Sequence, residues 1–458
     1  MKTMTGNEIA RVIEANIIQG DGQVQFGAVS TDTRRLVPGQ LFFALRGEHF
    51  DAHDFLDQAR EAGAAGLVVS RAVAGLADNI PVFLVKDVLL ALQKLARYNR
   101  ERHSLPVIAV TGSVGKTTTK DIIAAILSTR WNTLKTPGNL NNEIGLPLTM
   151  LELNERHQAA VVEMAMRGPG EINYLCKIAR PTGAVITSIG EAHFEHLGSV
   201  EKIAQAKGEL LAHIDHAGFA LLNAHSPQMR EQARRCRGKV FFFGDSAGVD
   251  IRALNIRPAG RMMCFDAEMG ETRFEACLPL PGRHNVHNAL AAIGAGWVLG
   301  LSVSEIRRGL ESVVLSGGRG EIVDLKGITV INDTYNANPA SMRAALNALV
   351  QVAGPRRKIA VLGNMLELGE LSKAGHDQVG EAVFSAGVNY LLTVGGLARW
   401  IAAGAREKGL RAGNIKECAT TEEAVVILKD LCVPGDVILI KGSRSMRLEK
   451  ICEALLNS

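Results

Sequence analysis

The segment 107–129 constrains the fold more than any other part of the chain. Residues 107–111 form an apolar run that predicts a buried strand, and residues 116–129 carry the pattern of a helix. Between them lies the loop Thr111-Gly-Ser-Val-Gly-Lys-Thr117. A glycine loop between a strand and a helix is typical of phosphate binding in parallel α/β sheets. Its backbone N–H groups and the positive end of the helix dipole both face the ligand.

This loop resembles a P-loop. Gly112 and Gly115 allow its tight path. The Lys116 ammonium group can reach the β- and γ-phosphates, and the Thr117 hydroxyl can ligate Mg²⁺. Valine stands at position 110, where the eight-residue signature has glycine. The alternative is an ordinary glycine turn, but the intact Gly-Lys-Thr favours a nucleoside triphosphate. The residues predicted to bind it are Gly112, Ser113, Val114, Gly115, Lys116, Thr117 and Thr118.

The organisation of the chain predicts three domains. A length of 458 residues suggests about three domains at roughly 100–200 residues each. Residues 1–103 show short strands and turns, residues 104–316 alternate strands and helices around the P-loop, and residues 317–458 repeat that alternation. We therefore predict an α/β protein with a small α/β domain, a central parallel-sheet domain and a C-terminal Rossmann-like domain. The predicted strands are 41–45, 67–69, 82–85, 107–111, 159–163, 184–187, 329–332, 358–362, 390–394 and 436–440.

The composition of the chain argues against a nucleic-acid-binding protein and against a membrane-spanning one. The net charge is +4 and aromatic residues make up 5%, which argues against nucleic-acid binding. The longest uncharged stretch, 284–304, contains His, Asn and Gly residues, so no membrane span is predicted. Seven cysteines without a metal-binding spacing predict free thiols in a reducing compartment. We expect a cytoplasmic protein, and the lack of coiled-coil heptads favours a monomer.

Two further residues are candidate metal ligands. Glu163 ends a predicted strand, and His193 follows another, which places both where ligands collect in open α/β sheets. The alternatives are an exposed carboxylate and a structural histidine. Lys207 lies on a helical pattern and, taken alone, is a solvated lysine, because an unmodified lysine is a donor and cannot ligate a cation.

The chain carries an ordered set of motifs: Thr111–Thr117, Thr136-Pro-Gly-Asn-Leu-Asn-Asn-Glu-Ile-Gly-Leu-Pro147, Glu163-Met164, Ala192-His193, Ala206-Lys207-Gly-Glu209, Gly282-Arg-His-Asn-Val-His-Asn288, Asp333-Thr-Tyr-Asn-Ala-Asn-Pro339 and Lys441-Gly-Ser-Arg-Ser-Met446. These motifs resemble those of the Mur ligase family, the ATP-dependent amide ligases of peptidoglycan precursor assembly, over essentially the whole chain. The stretches 333–339, 363–369 and 441–446 resemble the member that joins D-Ala-D-Ala to UDP-N-acetylmuramoyl-tripeptide. Ala52 and Asn364 differ from the glycine and the acid that are common at those positions.

The resemblance implies a mechanism and roles. The γ-phosphoryl group of ATP passes to a substrate carboxylate, and the amine of D-Ala-D-Ala attacks the acyl phosphate. Lys116, Lys207 and His193 are then catalytic. Thr117 and Glu163 hold one Mg²⁺, while His193 and a carbamoylated Lys207 serve a second. The residues implied to contact ATP from other parts of the chain are His284, Asn288, Arg319, Asp333 and Tyr335.

The resemblance also implies substrate contacts. Asn139, Asn141, Asn142, Asn336 and Asn338 would orient phosphate or peptide groups, and Ser30, Thr31, Asp32 and Arg34 would bind the UDP moiety. The alternatives are a polar turn for the 139–142 group and a capped turn at 30–34. Two other functions stay open: another Mur or folylpolyglutamate-type ligase, and a nucleotide-regulated binding protein without ligase chemistry.

Overall fold

The computed structural model describes residues 1–72, 80–190 and 194–456, which build three mixed sheets and one short ladder. The N-terminal sheet has five strands in the order β2-β7-β6-β5-β4, parallel except for β2. A separate pair, β1–β3, lies beside it. The elements are β1 (Met4–Thr5), α1 (Gly6–Ile13), β2 (Asn16–Gln19), β3 (Gln25–Phe26), β4 (Val29–Ser30), β5 (Leu41–Phe43), α2 (Leu56–Glu61), β6 (Gly66–Val69), β7 (Val82–Leu84) and α3 (Val88–Glu101).

The central sheet has nine strands in the order β16-β15-β14-β13-β12-β11-β8-β10-β9. Strands β8 to β14 are parallel, and β14 to β16 form an antiparallel meander at one edge. The elements are β8 (Val107–Thr111), α4 (Lys116–Leu127), β9 (Thr133–Lys135), α5 (Gly145–Leu151), β10 (Ala159–Glu163), α6 (Glu171–Ala179), β11 (Gly183–Ile186), α7 (Phe194–Leu197), α8 (Val200–Lys207), β12 (Phe219–Asn223), α9 (Gln228–Gln232), β13 (Lys239–Gly244), β14 (Ile251–Ala259), β15 (Met262–Met269), β16 (Thr272–Leu278), α10 (Arg283–Val298) and α11 (Val303–Glu311).

The C-terminal sheet has six strands in the order β17-β18-β22-β19-β20-β21, parallel except for β17. Successive residues of its strands point to opposite faces of the sheet and therefore pack in different hydrophobic cores. Ala360 packs with the helices α12 to α14, and Ile359 with α15 and α16. The elements are β17 (Glu321–Leu325), β18 (Ile328–Asp333), α12 (Pro339–Ala353), β19 (Lys358–Gly363), α13 (Ser372–Ser385), β20 (Tyr390–Val394), α14 (Arg399–Lys408), β21 (Ile415–Cys418), α15 (Thr421–Leu431), β22 (Val437–Lys441) and α16 (Glu449–Leu456).

The predicted fold class is confirmed, but several strands were not predicted, among them the interior strands β12 and β13 of the central sheet. The apolar runs that predict β8, β10 and β20 match those strands, because fully buried parallel strands are continuously apolar. The edge meander β14 to β16 is also not among the predicted strands, although many of its residues alternate between buried and more exposed, as in a strand with one solvated face. No helix in the described ranges is long and apolar enough to cross a membrane.

The cysteine prediction is wrong for one pair. Cys264 and Cys277 form a disulfide, whereas the other five cysteines are free thiols. The two residues lie directly opposite each other in the β15–β16 ladder, with their Cα atoms 4.2 Å apart. Their spacing in the sequence could not reveal this, because the pairing depends on an antiparallel hairpin that was not predicted.

A buried charge cluster joins α4 to the segment that leads into the C-terminal sheet. Asp121 lies 3.3 Å from the ammonium group of Lys120, and neither side chain is exposed. The Asp121 carboxylate also accepts hydrogen bonds from Lys135 and from the backbone N–H of Ser316. Burial opposes ionisation of Asp121, but the charges of Lys120 and Lys135 outweigh it, so the pKa of Asp121 lies below its usual value.

Replacing Asp121 with alanine should lower the free energy of unfolding by about 3–5 kcal/mol, because the substitution leaves the Lys120 charge buried without its partner. Urea unfolding followed by circular dichroism measures this change. Asp215→Ala is the matched control, since the ion pair of Asp215 with Arg237 is exposed and should contribute far less. Equal losses in the two variants would contradict the assignment of Asp121 as a structural counter-ion.

Candidate active site

The P-loop occupies the turn between β8 and α4. Gly115 precedes α4 with φ of +87°, and Gly112 has φ of +148°. The segment after β11 holds the loop: Ser188 Oγ accepts a hydrogen bond from the Val114 N–H, and Thr187 Oγ1 donates to the Val114 carbonyl. Within the loop, Lys116 Nζ donates to the Gly112 carbonyl at 2.8 Å. The supporting residues Thr187 and Ser188 carry no sequence signal beyond following an apolar strand.

Gly115 has no room for a side chain. A Cβ atom there would lie 2.4 Å from Asn288 Oδ1, and the positive φ is already unfavourable for any other residue. We therefore expect Gly115→Ala to abolish measurable ADP binding in calorimetry. Gly170→Ala is the matched control, because Gly170 precedes α6 with φ of +84° and a Cβ atom there would meet no other atom within 4 Å. Loss of ADP binding in both variants would mean that backbone strain, not the contact with Asn288, matters.

Oxygen atoms of the type that ligates Mg²⁺ lie beside the P-loop. Thr117 Oγ1 donates to Glu163 Oε2 at 2.5 Å, and Asn141 Nδ2 donates to Glu163 Oε1 at 2.7 Å. Glu163 ends β10 and is only 1% exposed. A buried carboxylate next to a hydroxyl at the phosphate loop fits the preference of Mg²⁺ for oxygen ligands. The Thr117 hydroxyl and the Glu163 carboxylate therefore fit the Mg²⁺ ion that the sequence predicts.

Lys116 lies close to this carboxylate, and the buried Lys207 lies close to Lys116. Burial lowers the pKa of Lys116; the charge of Glu163 opposes this shift, and that of Arg319 adds to it. Burial also lowers the pKa of Lys207 well below its usual value, and the charge of Lys116 adds to the shift. Lys207 ends α8 and is 1% exposed, so the solvated lysine expected from the sequence alone is wrong. Its amine is therefore biased toward the neutral form.

The start of α10 forms another side of the site. Asn288 Oδ1 accepts a hydrogen bond from Thr119, and Asn288 Nδ2 donates to Asn285 Oδ1. His284 lies one turn before Asn288, and burial lowers its pKa to about 4, with the charges of Lys441 and His287 adding to the shift. Its imidazole is therefore neutral at pH 7 and can offer one donor and one acceptor to a ligand.

The C-terminal region contributes a polar and aromatic wall. The Arg319 guanidinium lies 3.6 Å from the centre of the Tyr335 ring. Lys441 Nζ donates to Asp333 Oδ2 at 2.6 Å and to the Asn336 carbonyl at 2.9 Å. Lys441 was not among the predicted site residues, because its position opposite Asp333 follows from the pairing of β18 with β22.

A cavity of about 320 Å³ between the central and C-terminal sheets brings together the P-loop, Glu163, the start of α10 and the residues of the C-terminal region, whereas Lys207 does not line it. Besides Lys441, Asn285 lines it without having been predicted. The predicted residues that line it are Ser113, Val114, Gly115, Lys116, Thr117, Thr118, Asn141, Glu163, His284, Asn288, Arg319, Asp333, Tyr335, Asn336 and Asn338.

Several predicted residues have other surroundings. Asn139 is exposed, and Asn142 Oδ1 accepts from the backbone N–H groups that begin α5. Asn338 lines the cavity and also caps α12 through a reciprocal pair of bonds with Ser341. Asn364, which differs from the usual acid, accepts from the N–H groups of residues 397 and 398. The predicted ligand His193 lies outside the described residues.

The N-terminal candidates form a capped turn. Ser30 Oγ donates to the Asp32 carbonyl, and both carboxylate oxygens of Asp32 accept from the Arg34 guanidinium. This ion pair and the Arg34 backbone N–H lower the pKa of Asp32, with burial opposing the shift. Thr31 is half-buried beside them, and the Arg34 side chain is 82% exposed. The Arg34 guanidinium is therefore accessible to a ligand.

Comparison with known proteins gives matches over nearly the whole chain. Profiles described as Mur ligase family, catalytic domain, Mur ligase middle domain, and Mur ligase, glutamate ligase domain match residues 25–100, 110–296 and 318–444. A Bacillus subtilis protein named UDP-N-acetylmuramoyl-tripeptide–D-alanyl-D-alanine ligase is 39% identical over 95% of this chain and 94% of its own. The crystal structure of MurF from Acinetobacter baumannii is 34% identical, covers 100% of both chains and has a TM-score of 0.90. MurF ligase from Thermotoga maritima, in complex with ADP, is 31% identical, covers 94% of this chain and 97% of its own, and has a TM-score of 0.82.

Proposed function

This chain belongs to the Mur ligase family, and we propose that it joins D-Ala-D-Ala to UDP-N-acetylmuramoyl-tripeptide with conversion of ATP to ADP and phosphate. The observation that carries the proposal is the cavity where the P-loop, the Thr117–Glu163 pair and the Asp333–Lys441 pair meet. An ATP-dependent amide ligase needs such a site, because the phosphate donor and the acceptor peptide must both be held there.

The reaction proceeds in two steps. A carboxylate oxygen of the tripeptide attacks the γ-phosphorus of ATP, the bond from that phosphorus to the bridging oxygen breaks, and ADP leaves. The amine of D-Ala-D-Ala then attacks the acyl carbon, phosphate leaves with the C–O bond electrons, and the nitrogen loses a proton. Because the reactants are anions, catalysis rests on positioning and positive charge. Lys116, Arg319 and Lys441 are cations that line the cavity.

Mg²⁺ is part of this proposal. Thr117 and Glu163 hold one ion, which when bound neutralises charge on the phosphates. His193 and a carbamoylated Lys207 serve a second. Carbamoylation requires the neutral amine, and the burial of Lys207 near the charge of Lys116 supports that form. The carbamate supplies an anionic oxygen, the donor type that Mg²⁺ prefers.

Each of the three domains, 1–103, 104–316 and 317–458, contributes further contacts to the substrates. Ser30, Thr31, Asp32 and Arg34 bind the UDP moiety, for which the exposed Arg34 guanidinium offers charge to the diphosphate. His284, Asn288, Asp333 and Tyr335 contact ATP. Asn139, Asn141, Asn142, Asn336 and Asn338 orient the peptide substrates. The chain acts as a cytoplasmic monomer, without nucleic acid.

A substrate panel tests the assignment. We expect mass spectrometry to detect condensation of the UDP-muramoyl tripeptide, with lysine or diaminopimelate at its third position, only with D-Ala-D-Ala. Single L-glutamate or diaminopimelate offered to shorter precursors should give no product. Condensation of one of these single amino acids would instead assign the chain to a neighbouring Mur or folylpolyglutamate-type activity. No condensation at all, with ADP still bound, would favour a nucleotide-regulated binding protein.

A further inference from the structure

A second group of ligand-type side chains lies outside the nucleotide cavity. His225 follows β12, Asp245 follows β13, and His287 lies near the start of α10. Their ligand atoms all lie within 4.8 Å of one another. None of the three lines the cavity described above, and the proposed reaction uses none of them.

The two imidazoles present the same nitrogen to one carboxylate. His225 Nε2 lies 2.8 Å from Asp245 Oδ1, and His287 Nε2 lies 3.6 Å from Asp245 Oδ2. The rings are stacked, with their centres 4.7 Å apart. His287 Nε2 is buried and has no hydrogen-bond partner in the described part of the chain. A buried nitrogen in this position is unusual, because burial removes it from water without replacing the lost hydrogen bond.

The separations suit ligands of one ion. Ligand atoms about 2.1 Å from a tetrahedral ion are about 3.4 Å apart. The distance from His287 to Asp245 is too long for a hydrogen bond but close to this spacing. A small movement of the half-exposed His225 would complete the set.

We propose that His225, Asp245 and His287 bind a transition-metal dication of the Zn²⁺ type, with water as the remaining ligand. Two imidazoles and one carboxylate favour Zn²⁺ over Mg²⁺, which prefers oxygen donors. Both histidines bind through Nε2, so each carries its proton on Nδ1. The ion would tie the ends of β12 and β13 to α10, the helix that carries His284 and Asn288.

The contact of Arg283 with Asp245 allows a second test of the metal site. Its guanidinium lies 2.6 Å from Asp245 Oδ2, and its side chain is 65% exposed. A cation on this carboxylate repels a metal ion, and an exposed arginine can move away from it. Removal of this charge should therefore strengthen metal binding, an effect that a merely structural cluster would not show.

The test uses the full chain without a histidine tag, in saturating Mg²⁺ and ADP so that the nucleotide site is occupied. Zn²⁺ titration by calorimetry should give one site per chain, and Co²⁺ should give the intense visible absorption of four-coordinate cobalt. His225→Ala and His287→Ala should weaken Zn²⁺ binding by about 100-fold or more, since even outer-shell partners contribute 10–100-fold. Arg283→Ala should tighten it. His216→Ala is the matched control, because His216 is exposed and outside the cluster.

Each outcome of the Zn²⁺ titrations either supports or overturns the metal site. Loss of the Zn²⁺ site in His225→Ala, with retention in His216→Ala, supports the proposal even if His287→Ala fails to fold. No Zn²⁺ binding by the wild-type chain, or unchanged binding in His225→Ala, overturns it. The ligase assignment is measured separately by product formation with Mg²⁺, so neither outcome alters that assignment.

Discussion

Lys207→Ala is expected to lose nearly all ligase activity, and a small carboxylic acid in the buffer is expected to restore part of it. In our proposal the carbamate on Lys207 supplies an anionic oxygen for Mg²⁺, and alanine removes it. Because Lys207 is buried, its truncation leaves space that formate or acetate can enter. The loss should be about 10³-fold in kcat, comparable with removal of one electrostatic group from an active site. Steady-state product formation with and without the acid measures both effects.

Two controls make the rescue specific. Lys202→Ala removes an exposed lysine from the same helix and should leave activity unchanged. The same acid should not rescue Lys116→Ala, where a cation is missing instead of an anion. Ordinary activity in Lys207→Ala, or equal rescue of both variants, would contradict the carbamate.

Lys116→Ala should reduce kcat by about 10³-fold or more while the fold persists. Lys116 lies in the P-loop and donates to the Gly112 carbonyl, so its loss removes positive charge from the phosphates but little from the cores. Activity is measured by ADP release, and the fold by thermal unfolding. Lys177→Ala, which removes an exposed lysine from α6, is the control for a general effect of lost charge.

The outcome for Lys116→Ala separates two roles for this lysine. Reduced kcat with an unchanged melting temperature supports a role in catalysis. Wild-type turnover would contradict the assignment of the P-loop as the phosphate site. A large drop in melting temperature would instead mean that the Lys116 ammonium group stabilises the fold.

Local sequence predicts the parts of the site that lie within one strand, loop or helix. The P-loop follows directly from the order of β8, the glycines and α4. Glu163 follows from its place at the end of an apolar strand. The alternation of apolar strands with helices is also the basis for predicting three regions of the chain. Such features depend on short-range patterns that the sequence records directly.

Features that depend on pairing across long separations could not be predicted. The ion pair of Lys441 with Asp333 depends on the register between β18 and β22. The Cys264–Cys277 disulfide depends on an edge hairpin with mixed burial. The burial of Lys207 depends on how α8 packs, and the helix pattern alone predicts a solvated side chain. In each case, tertiary contacts override the local expectation.

Phosphate release by the purified chain, with each substrate omitted in turn, tests the ligase assignment most directly. With ATP and Mg²⁺ present, we predict steady phosphate release only when both UDP-N-acetylmuramoyl-tripeptide and D-Ala-D-Ala are added, with one peptide product formed per phosphate. Equal release with neither substrate, or release that D-Ala-D-Ala does not increase, would contradict the account.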